Sequence, residues 1–427
     1  MNFFLKSVVA FSSFFFFSAA FAQTVHTKQT LSVDSAVSLA LENNISLKEE
    51  SITLKGLERT NKYSWNSVSP SVDAGASYSK PVAPSENGDG TLSIYGTAQI
   101  SFTPSLYTTV KSAKMNYENG KLSYETAVKT VELNVRKAFY KILYDKDNVK
   151  LQEQNLESAQ KQYQQNLQKY NQGGIPRLDV LSAQVAVENQ KPKVQSAQTT
   201  YENDLASFKQ TLGIAQDVEL ELEGSLDELL NIGEITIEDV EMNSAEIKAL
   251  ENKLELAKTA VLASRLNAYA PTLSAGYRIQ RSKTGNADAV DSGTLSASVT
   301  IPLDSLFPWS SSAQNVASAK DSVENIELQI EDAKTSLKVS TDSYLRSIAQ
   351  SKSSITSLQA SVNLAKETYD MTLTAYQRGS KDLLSLQNAL DDVLAAQVNL
   401  KSEVYSLISS ILELENVIGV PFGTLIK

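Results

Sequence analysis

Side chains that commonly do covalent or metal chemistry are scarce in this chain of 427 residues. The sequence contains no cysteine, which excludes a disulfide, a thiol nucleophile and a thiolate metal site. Its single histidine, His26, lies near the N-terminus, where chains are usually loosely held. The 49 acidic residues give many accidental carboxylate pairs, and no glycine-rich phosphate loop is present. We therefore predict that the protein is not an enzyme and that it uses no cofactor and no metal ion.

The net charge argues against a further class of partner. The chain has 39 basic and 49 acidic residues, so its formal net charge is −10 at pH 7. A protein that binds nucleic acid through the phosphate backbone normally presents an excess of positive charge. We therefore expect no nucleic-acid partner.

The first 22 residues have the pattern of a cleaved secretory signal peptide. Lys6 precedes an apolar run over 8–21, and Ala-Phe-Ala at 20–22 provides a cleavage site of small residues. A retained membrane anchor is the alternative, but the run is short and ends in that site. No later segment contains the roughly 20 consecutive apolar residues that a spanning helix needs. We therefore predict an exported chain without a membrane-spanning helix.

Two parts of the chain repeat one another at a constant spacing. The first copy reads YNQGGIPRLDVLSAQ from Tyr170, and the second reads YQRGSKDLLSLQNAL from Tyr376. In this alignment Gly173 falls on Gly379 without a gap. Each copy interrupts a long stretch that otherwise reads as helix, because glycine costs a helix interior about 1 kcal/mol relative to alanine and proline about 3 kcal/mol.

Apolar residues recur at every seventh position on both sides of these interruptions. Such spacing over several heptads indicates coiled-coil packing. Two helices joined by a short glycine-containing turn form an antiparallel hairpin. We therefore predict two long helical hairpins, at about 105–213 and about 308–419, with their tips at the glycines. The heptad positions ahead of the first tip are Val135, Ile142, Val149, Leu156, Tyr163 and Tyr170.

Four shorter stretches alternate apolar and small polar residues with a period of two. They lie at about 71–80, 92–103, 272–281 and 293–303, and connectors rich in turn residues join them in pairs. This alternation is typical of a transmembrane β-barrel, although it is weak for any one strand. A half-buried hairpin in a soluble sheet is the alternative, but two hairpins in an exported chain, flanked by aromatic residues, favour the barrel. Those aromatic residues are Trp65, Tyr107, Phe307 and Trp309.

Four strands cannot close a barrel within one chain. An open edge in lipid leaves unpaired backbone groups, each costing several kcal/mol. Several subunits must therefore share one cylinder, and three would supply twelve strands and a lumen, although the pattern itself does not fix the number three. The predicted fold is mainly α with a membrane β-barrel. A tandem repeat of helix, β-hairpin, long helix and helix assembles as a trimeric 12-strand β-barrel plus an α-helical coiled-coil barrel.

From about Leu31 to Val420, this organisation resembles the TolC family of outer-membrane efflux proteins. The resemblance rests on the motifs KYNQGG…DVLSAQ and AYQRG…LLSLQNAL, on a proline before each sheet segment, and on a glycine that closes each descending helix. Those residues are Pro70, Pro271, Gly213 and Gly419. It implies a division into a signal peptide at 1–22, a first repeat at 23–213, an equatorial linker at 214–243, a second repeat at 244–420 and a C-terminal tail at 421–427.

The resemblance also implies a function. Members of the family are trimeric channel-tunnels of the cell outer membrane in Gram-negative-type bacteria, and they extend into the periplasm. This chain would then contact outer-membrane lipid, a periplasmic adaptor (membrane fusion) protein and an inner-membrane pump of RND or ABC type, and export drugs or proteins by multidrug export or type I secretion. The alternatives are an exported coiled-coil scaffold or adaptor-like periplasmic protein without a barrel, and an outer-membrane spacer that transports nothing.

By position, the resemblance assigns the adaptor-docking tips to Gly173, Gly174 and Gly379. Glycine at a tip permits a positive φ and leaves room for a partner to approach. Asp179, Tyr376 and Lys381 correspond to places where relatives close the periplasmic entrance by hydrogen bonds and salt bridges between helices. Lys381 replaces an arginine there, so it can pair with Asp179 but without bidentate geometry.

A further part of the entrance departs from the family pattern. Ser385 and Asn388 occupy the two positions that carry a ring of aspartates in a well-known relative. Asp392 follows Asn388 by four residues, which is one helical turn. We expect Asp392 to supply a displaced acidic ring, and block of the closed entrance by cations depends on that expectation.

Overall fold

The computed structural model describes residues 29–82, 88–230, 233 and 244–426. The signal peptide predicted at 1–22 lies outside the described residues, as do 231–232 and 234–243 of the predicted linker and residue 427 of the predicted tail. Within the described residues, no helix combines the length and the apolar character that crossing a bilayer requires.

The two repeats share one order of elements: helix, two strands, long helix and returning helix. The first has two helices ahead of its strands, whereas the described part of the second has one. The first consists of β1 (Gln29–Leu31), α1 (Val33–Asn43), α2 (Ile45–Lys62), β2 (Ser71–Ser79), β3 (Thr91–Phe102), α3 (Leu106–Asn171) and α4 (Arg177–Leu212). After β4 (Leu220–Leu222), the second consists of α5 (Ala245–Tyr269), β5 (Thr272–Thr284), β6 (Val290–Thr300), α6 (Ser311–Gln377) and α7 (Leu383–Ile418). The predicted tandem fold is therefore confirmed.

The long helices α3 and α6 have 66 and 67 residues. At 1.5 Å per residue each is about 100 Å long. The helices α4 and α7 return along them and end at glycines in the left-handed conformation, with φ of 68° at Gly213 and 80° at Gly419. A side chain at Gly213 would also meet the backbone of Asn43 at 2.8 Å. This glycine is therefore required both by its φ and by close packing against α1.

The four long strands form one antiparallel sheet in the order β2-β3-β5-β6. The central pair, β3 and β5, joins the two repeats, with Ile100 opposite Ala275 and Gln99 opposite Gly276. The predicted apolar residues share one face of this sheet and the small polar residues share the other, because directly opposed residues in antiparallel strands point to the same side. Each chain therefore supplies a two-faced ribbon of four strands.

The prediction for the last strand was wrong by three residues at each end. We expected 293–303, whereas β6 runs from Val290 to Thr300. Pro302 has no N–H to donate to a neighbouring strand, which explains the earlier end. The earlier start accompanies a longer β5, which reaches Thr284 before the turn at Gly285 (φ 52°).

The main hydrophobic core lies midway along α3 and α6, where they meet α1, the C-terminal ends of α4 and α7, and the strands β1 and β4. Phe139 of α3 contacts Phe208 of α4 edge-on, with ring centroids 6.4 Å apart. The chain end is fixed to the same core by Glu415, a fully buried residue of α7. Its carboxylate accepts hydrogen bonds from the backbone N–H groups of Gly423 and Leu425 at 2.8 and 2.7 Å. This core holds the two helical hairpins side by side.

Candidate functional site

The two hairpin tips have nearly the same backbone geometry. Gly173 has a φ of 75° and Gly379 a φ of 77°, a conformation that side chains with a Cβ rarely adopt. Gly174 follows with its N–H bonded to the carbonyl of Lys169 at 2.8 Å. A Cβ at either left-handed glycine would meet no atom of the chain within 4 Å. The tips are therefore exposed turns with free space around them.

Close to the tips, one buried amide joins three helices. The Tyr376 hydroxyl on α6 donates a hydrogen bond of 2.7 Å to Oδ1 of Asn166 on α3. Gln162, one turn earlier on α3, donates to the same oxygen at 3.0 Å. Asn166 Nδ2 in turn donates to the backbone carbonyl of Asp179, in the first turn of α4, at 3.4 Å. The structure therefore brings Tyr376 and Asp179 together, through Asn166.

The surroundings of Tyr376 keep its hydroxyl protonated, so that it can donate a hydrogen bond. Burial raises the pKa of Tyr376 above its usual value of 10, although the hydrogen bonds with Asn166 and Gln162 partly oppose this shift. The ammonium of Lys169 lies 5.2 Å from the centre of the Tyr376 ring, within the range of a cation–π contact. The phenol is therefore protonated at neutral pH and held on two sides.

Lys381 does not join this group within one chain. It is exposed and lies just before α7, and in the described part of a single chain its ammonium forms no ion pair with Asp179. The neighbouring Asp382 caps α7 by accepting a hydrogen bond of 2.9 Å from the backbone N–H of Ser385. Hydrogen bonding to Ser385 lowers the pKa of Asp382 below its usual value. The capped turn fixes where α7 begins.

Ser385, Asn388 and Asp392 lie along one face of α7, since they are spaced by three and four residues. Ser385 is half-buried, and Asn388 and Asp392 are exposed. They form a polar stripe, with one carboxylate in each chain. Among the described residues, no three His, Cys, Asp or Glu side chains are grouped so as to hold a metal ion.

A cavity of about 460 Å³ separates the two hairpins just behind the Asn166 group. Its wall is mostly amide and small side chains, among them Gln162, Ala183, Gln190 and Gln387. Asn155 contributes a buried amide whose Nδ2 has no hydrogen-bond partner in the described chain. The seam between the hairpins is thus polar and loosely filled near the tips, unlike the core further along.

A buried carboxylate also links α3 to α4, closer to the core. Lys141 Nζ is 2.5 Å from Oδ1 of Asp145 and 3.1 Å from Oδ2 of Asp204. Asp145 is only 3% exposed. Burial raises its pKa to about 6, and the nearby Asp204 adds to the rise while Lys141 opposes it.

Further ion pairs connect the linker to the helices. Lys401 of α7 lies 2.7 Å from Asp147 of α3 and 2.8 Å from Asp227 of the linker. Lys352 of α6 donates a hydrogen bond to the backbone carbonyl of Gly233. These contacts fasten the linker to the second hairpin, and the pair between Lys401 and Asp147 joins that hairpin to α3 of the first.

Sequence reasoning did not assign Asn166 to the site. It lies in the same heptad series as Asp145, which runs beside the apolar seam and has only polar or small residues from Asp145 to the tip. That run of polar and small residues is the signal that could have identified it. A buried polar group normally has hydrogen-bond partners, so an asparagine in a coiled-coil seam indicates polar neighbours across it.

The chain matches known proteins in sequence pattern and in fold. A family model described as "outer membrane efflux protein" matches residues 36–214 and 234–420. Among solved structures, the Campylobacter jejuni CmeC outer membrane channel aligns with a TM-score of 0.75 and 19% identity, covering 91% of this chain and 85% of that one. The open state of the Neisseria gonorrhoeae MtrE outer membrane channel aligns with a TM-score of 0.72 and 17% identity, covering 91% and 89%. The Vibrio cholerae outer membrane protein VceC aligns with a TM-score of 0.70 and 16% identity, covering 91% of this chain and 96% of that one. Among curated protein sequences, none matches significantly.

Proposed function

The chain belongs to the outer membrane efflux protein family, and we propose that it is one subunit of a homotrimeric channel-tunnel that exports substrates to the cell exterior. It is a protein of the outer membrane of a Gram-negative-type bacterium and extends into the periplasm. The observation that carries the proposal is the sheet β2-β3-β5-β6, in which β2 and β6 each have one edge without a neighbour in the described chain. Three such sheets joined edge to edge would close a barrel.

The two faces of the sheet support an outside in lipid and an inside in water. Large apolar side chains on one face are exposed in the single chain: Ile94 by 58%, Ile100 by 43% and Val299 by 63%. Hydrocarbon is the environment that would cover a continuous apolar face of this kind. On the other face Ser274 and Ser298 share a hydrogen bond of 2.7 Å, as expected of a wall that faces water.

We further propose that the tips dock onto a periplasmic adaptor protein of an inner-membrane pump, of RND or ABC type. The free space at Gly173 and Gly379 supports a close approach of a partner. Exposed apolar residues on α4 continue from the first tip with helical spacing, namely Leu178, Leu181 and Val185. They offer an apolar strip to a helix of the adaptor or of the neighbouring subunit. The cargo would be drugs or proteins that the pump delivers.

The entrance would open by movement of the second hairpin against the first. Within a subunit, the bond between Tyr376 and Asn166 opposes that movement. Between subunits, Lys381 of one copy would pair with Asp179 of the next. Asp392 would line the entrance as a ring of three carboxylates. Each contact is weak, at about 0.2–1 kcal/mol for an exposed ion pair, but three copies act together.

Detergent extraction followed by mass measurement tests the assembly. We expect a particle that needs detergent and contains three copies of the chain, and we expect deletion of the gene to abolish export of its cargo. A monomer that stays soluble without detergent would contradict the barrel and favour an exported scaffold. A detergent-dependent trimer whose deletion leaves export unchanged would favour a spacer that transports nothing.

A further inference from the structure

Charge on the polar face of the sheet is confined to one register row. Asp73 and Arg278 are the two charged residues on that face of β2, β3, β5 and β6. The other positions there are serine, threonine, glutamine or glycine, apart from one tyrosine and one valine. Asp73 pairs with Thr97 across β2 and β3, and Thr97 pairs with Arg278 across β3 and β5. The two charged residues are therefore two strands apart on a single row. Since strands are spaced by about 4.8 Å, their Cα atoms are about 10 Å apart.

Arg278 is held against the wall by an aromatic ring. Its guanidinium carbon is 4.3 Å from the ring centre of Tyr95 on β3. The Tyr95 ring in turn covers Gly75 on β2, where a Cβ would lie 2.7 Å from the Tyr95 hydroxyl oxygen. Gly75 thus leaves room for Tyr95, and Tyr95 supports Arg278 by a cation–π contact. The positive charge is at a fixed position on the wall rather than on a freely moving side chain.

We infer that Asp73 and Arg278 are the residues that set how charged solutes pass through the barrel, an inference that rests on the proposed trimer. Barrel strands tilt by about 40°, so the two residues are offset by roughly 6 Å along the pore axis. Three subunits then place a ring of three aspartates next to a ring of three arginines. The two rings balance, so the barrel passes cations and anions alike, and either ring alone makes the barrel charge-selective.

The range of the charges is sufficient for this role. Twelve strands spaced by about 4.8 Å and tilted by about 40° give a backbone radius of about 12 Å. The Debye length is about 10 Å at 0.1 M salt and about 3 Å at 1 M. A charge on the wall therefore acts across most of the lumen in dilute salt and only at the wall in concentrated salt. The effect of either ring should disappear as salt is raised.

A thiol placed between the two residues tests the inference directly. The natural chain has no cysteine, so Thr97→Cys introduces a single reporter on the charged row. Small anionic and cationic methanethiosulfonate reagents, added from the external side, report the local potential by their reaction rates. In dilute salt, Arg278→Gln should lower the ratio of the anionic to the cationic rate about two- to fourfold, and Asp73→Asn should raise it by a similar factor. The double variant should restore the starting ratio.

Arg281→Gln is the matched control, because Arg281 lies on the same strand but on the apolar face, 3.6 Å from Asp291. The inference would be overturned if Arg278→Gln changed the ratio of anionic to cationic reaction rates no more than this control does, in a protein that still forms trimers. That result would leave the channel proposal intact. A reporter at Ala98 that reacts while one at Thr97 does not would place the charged row outside the lumen and overturn both. If Arg278→Gln does not assemble, Asp73→Asn tests the inference instead, since it should raise the rate ratio. Arg278→Lys keeps the positive charge and should leave the ratio unchanged.

Discussion

The hydroxyl of Tyr376 donates a hydrogen bond of 2.7 Å to the buried amide oxygen of Asn166, and this bond joins the long helices of the two repeats near their tips. Among the described residues, the second repeat has no equivalent hydrogen bond from the tyrosine of α3 to an asparagine of α6. Tyr170 is the counterpart of Tyr376, but it is 40% exposed, and Thr372 stands where the alignment would require a second asparagine. Within the described chain, this hydrogen bond is therefore made in one direction only, from α6 to α3.

Replacing Tyr376 with Phe should loosen the entrance. The change removes one hydrogen bond, worth about 1 kcal/mol in each subunit, and keeps the packing of the ring. We expect a higher single-channel conductance in planar bilayers and little change in trimer stability. Tyr369→Phe is the control, since Tyr369 is also half-buried on α6, one heptad earlier, and its hydroxyl has no bond partner among the described residues. Equal conductance in the two variants would place the gate elsewhere.

The proposed ion pair between subunits can be tested by exchanging its charges. Lys381→Asp should raise conductance, because it places a carboxylate opposite Asp179 of the neighbouring subunit. Combining it with Asp179→Lys should return conductance towards the wild-type value, since the pair is re-formed with reversed polarity. The expected energies are small, about 0.2–1 kcal/mol per pair, so dilute salt should be used. Additive effects of the two changes would show that the residues do not interact.

Asp392 should determine block of the entrance by multivalent cations. Asp392→Asn removes three carboxylates per trimer, and we expect weaker block by divalent or trivalent cations added from the periplasmic side. Asp391→Asn is the matched control, because the adjacent residue carries the same charge on another face of α7 and lines the cavity between the hairpins. If block is unchanged by the first variant or equally reduced by the second, no acidic ring exists at that level.

The sequence was sufficient for the fold because its two periods are long and repeated. The sevenfold apolar spacing predicts the helical hairpins, and the alternation predicts the sheet, including which face Ile100 and Gln99 occupy. It was less reliable at strand ends, where Pro302 and the tight turn at Gly285 moved β6 by three residues. Local hydrogen-bonding ability, rather than hydrophobic pattern, decides those boundaries.

The contacts of the candidate site were only partly predictable. Tyr376 and Asp179 could be assigned by resemblance, but their shared partner Asn166 depends on how two helices face each other across a seam. The row that places Asp73 beside Arg278 likewise depends on pairing register between strands far apart in the chain. Neither register nor helix facing can be read from periodicity, which gives the face of one element at a time.

Asp145 predicts a pH-dependent stability. Its pKa is about 6 in the folded chain against the usual 3.8, so the folded state holds the proton more tightly than the unfolded state. The stabilising effect of that proton is present below about pH 4 and is lost as the pH rises to about 6, by at most about 1.4 kcal/mol per pH unit. Asp145→Asn should remove this dependence. Its thermal unfolding midpoint, followed by circular dichroism, should exceed that of the wild type more at neutral pH than in acid.

The pH dependence of the difference in unfolding midpoint between wild type and Asp145→Asn would vanish if Lys141 kept Asp145 ionised over the whole pH range. Asp204→Asn separates the possibilities, because it removes the second carboxylate near Lys141 and leaves the buried one. With Asp204 neutralised, the pKa of Asp145 should fall, and the loss of stability should move to lower pH.

Arginine substitutions distinguish the two faces of the sheet. Ile100→Arg should cost about 2–4 kcal/mol if the side chain lies near the middle of the bilayer, and the yield of protein in the outer membrane should fall. Gln99→Arg, one residue away on the polar face, should assemble normally and alter conductance instead. Similar yields for the two variants would mean that the alternation does not separate lipid from lumen.

The two open edges of the sheet have a genetic consequence. A subunit alone in the bilayer would carry a full strand of unpaired backbone groups on both β2 and β6, so no partial barrel is a stable membrane species. A subunit whose edge strand cannot pair with its neighbour leaves the whole barrel open, even if the other subunits are wild type. In a cell that expresses both forms of the proposed trimer, the fraction of pores made only of wild-type subunits equals the cube of the wild-type fraction. Edge-strand mutations in this gene should therefore be dominant over the normal allele.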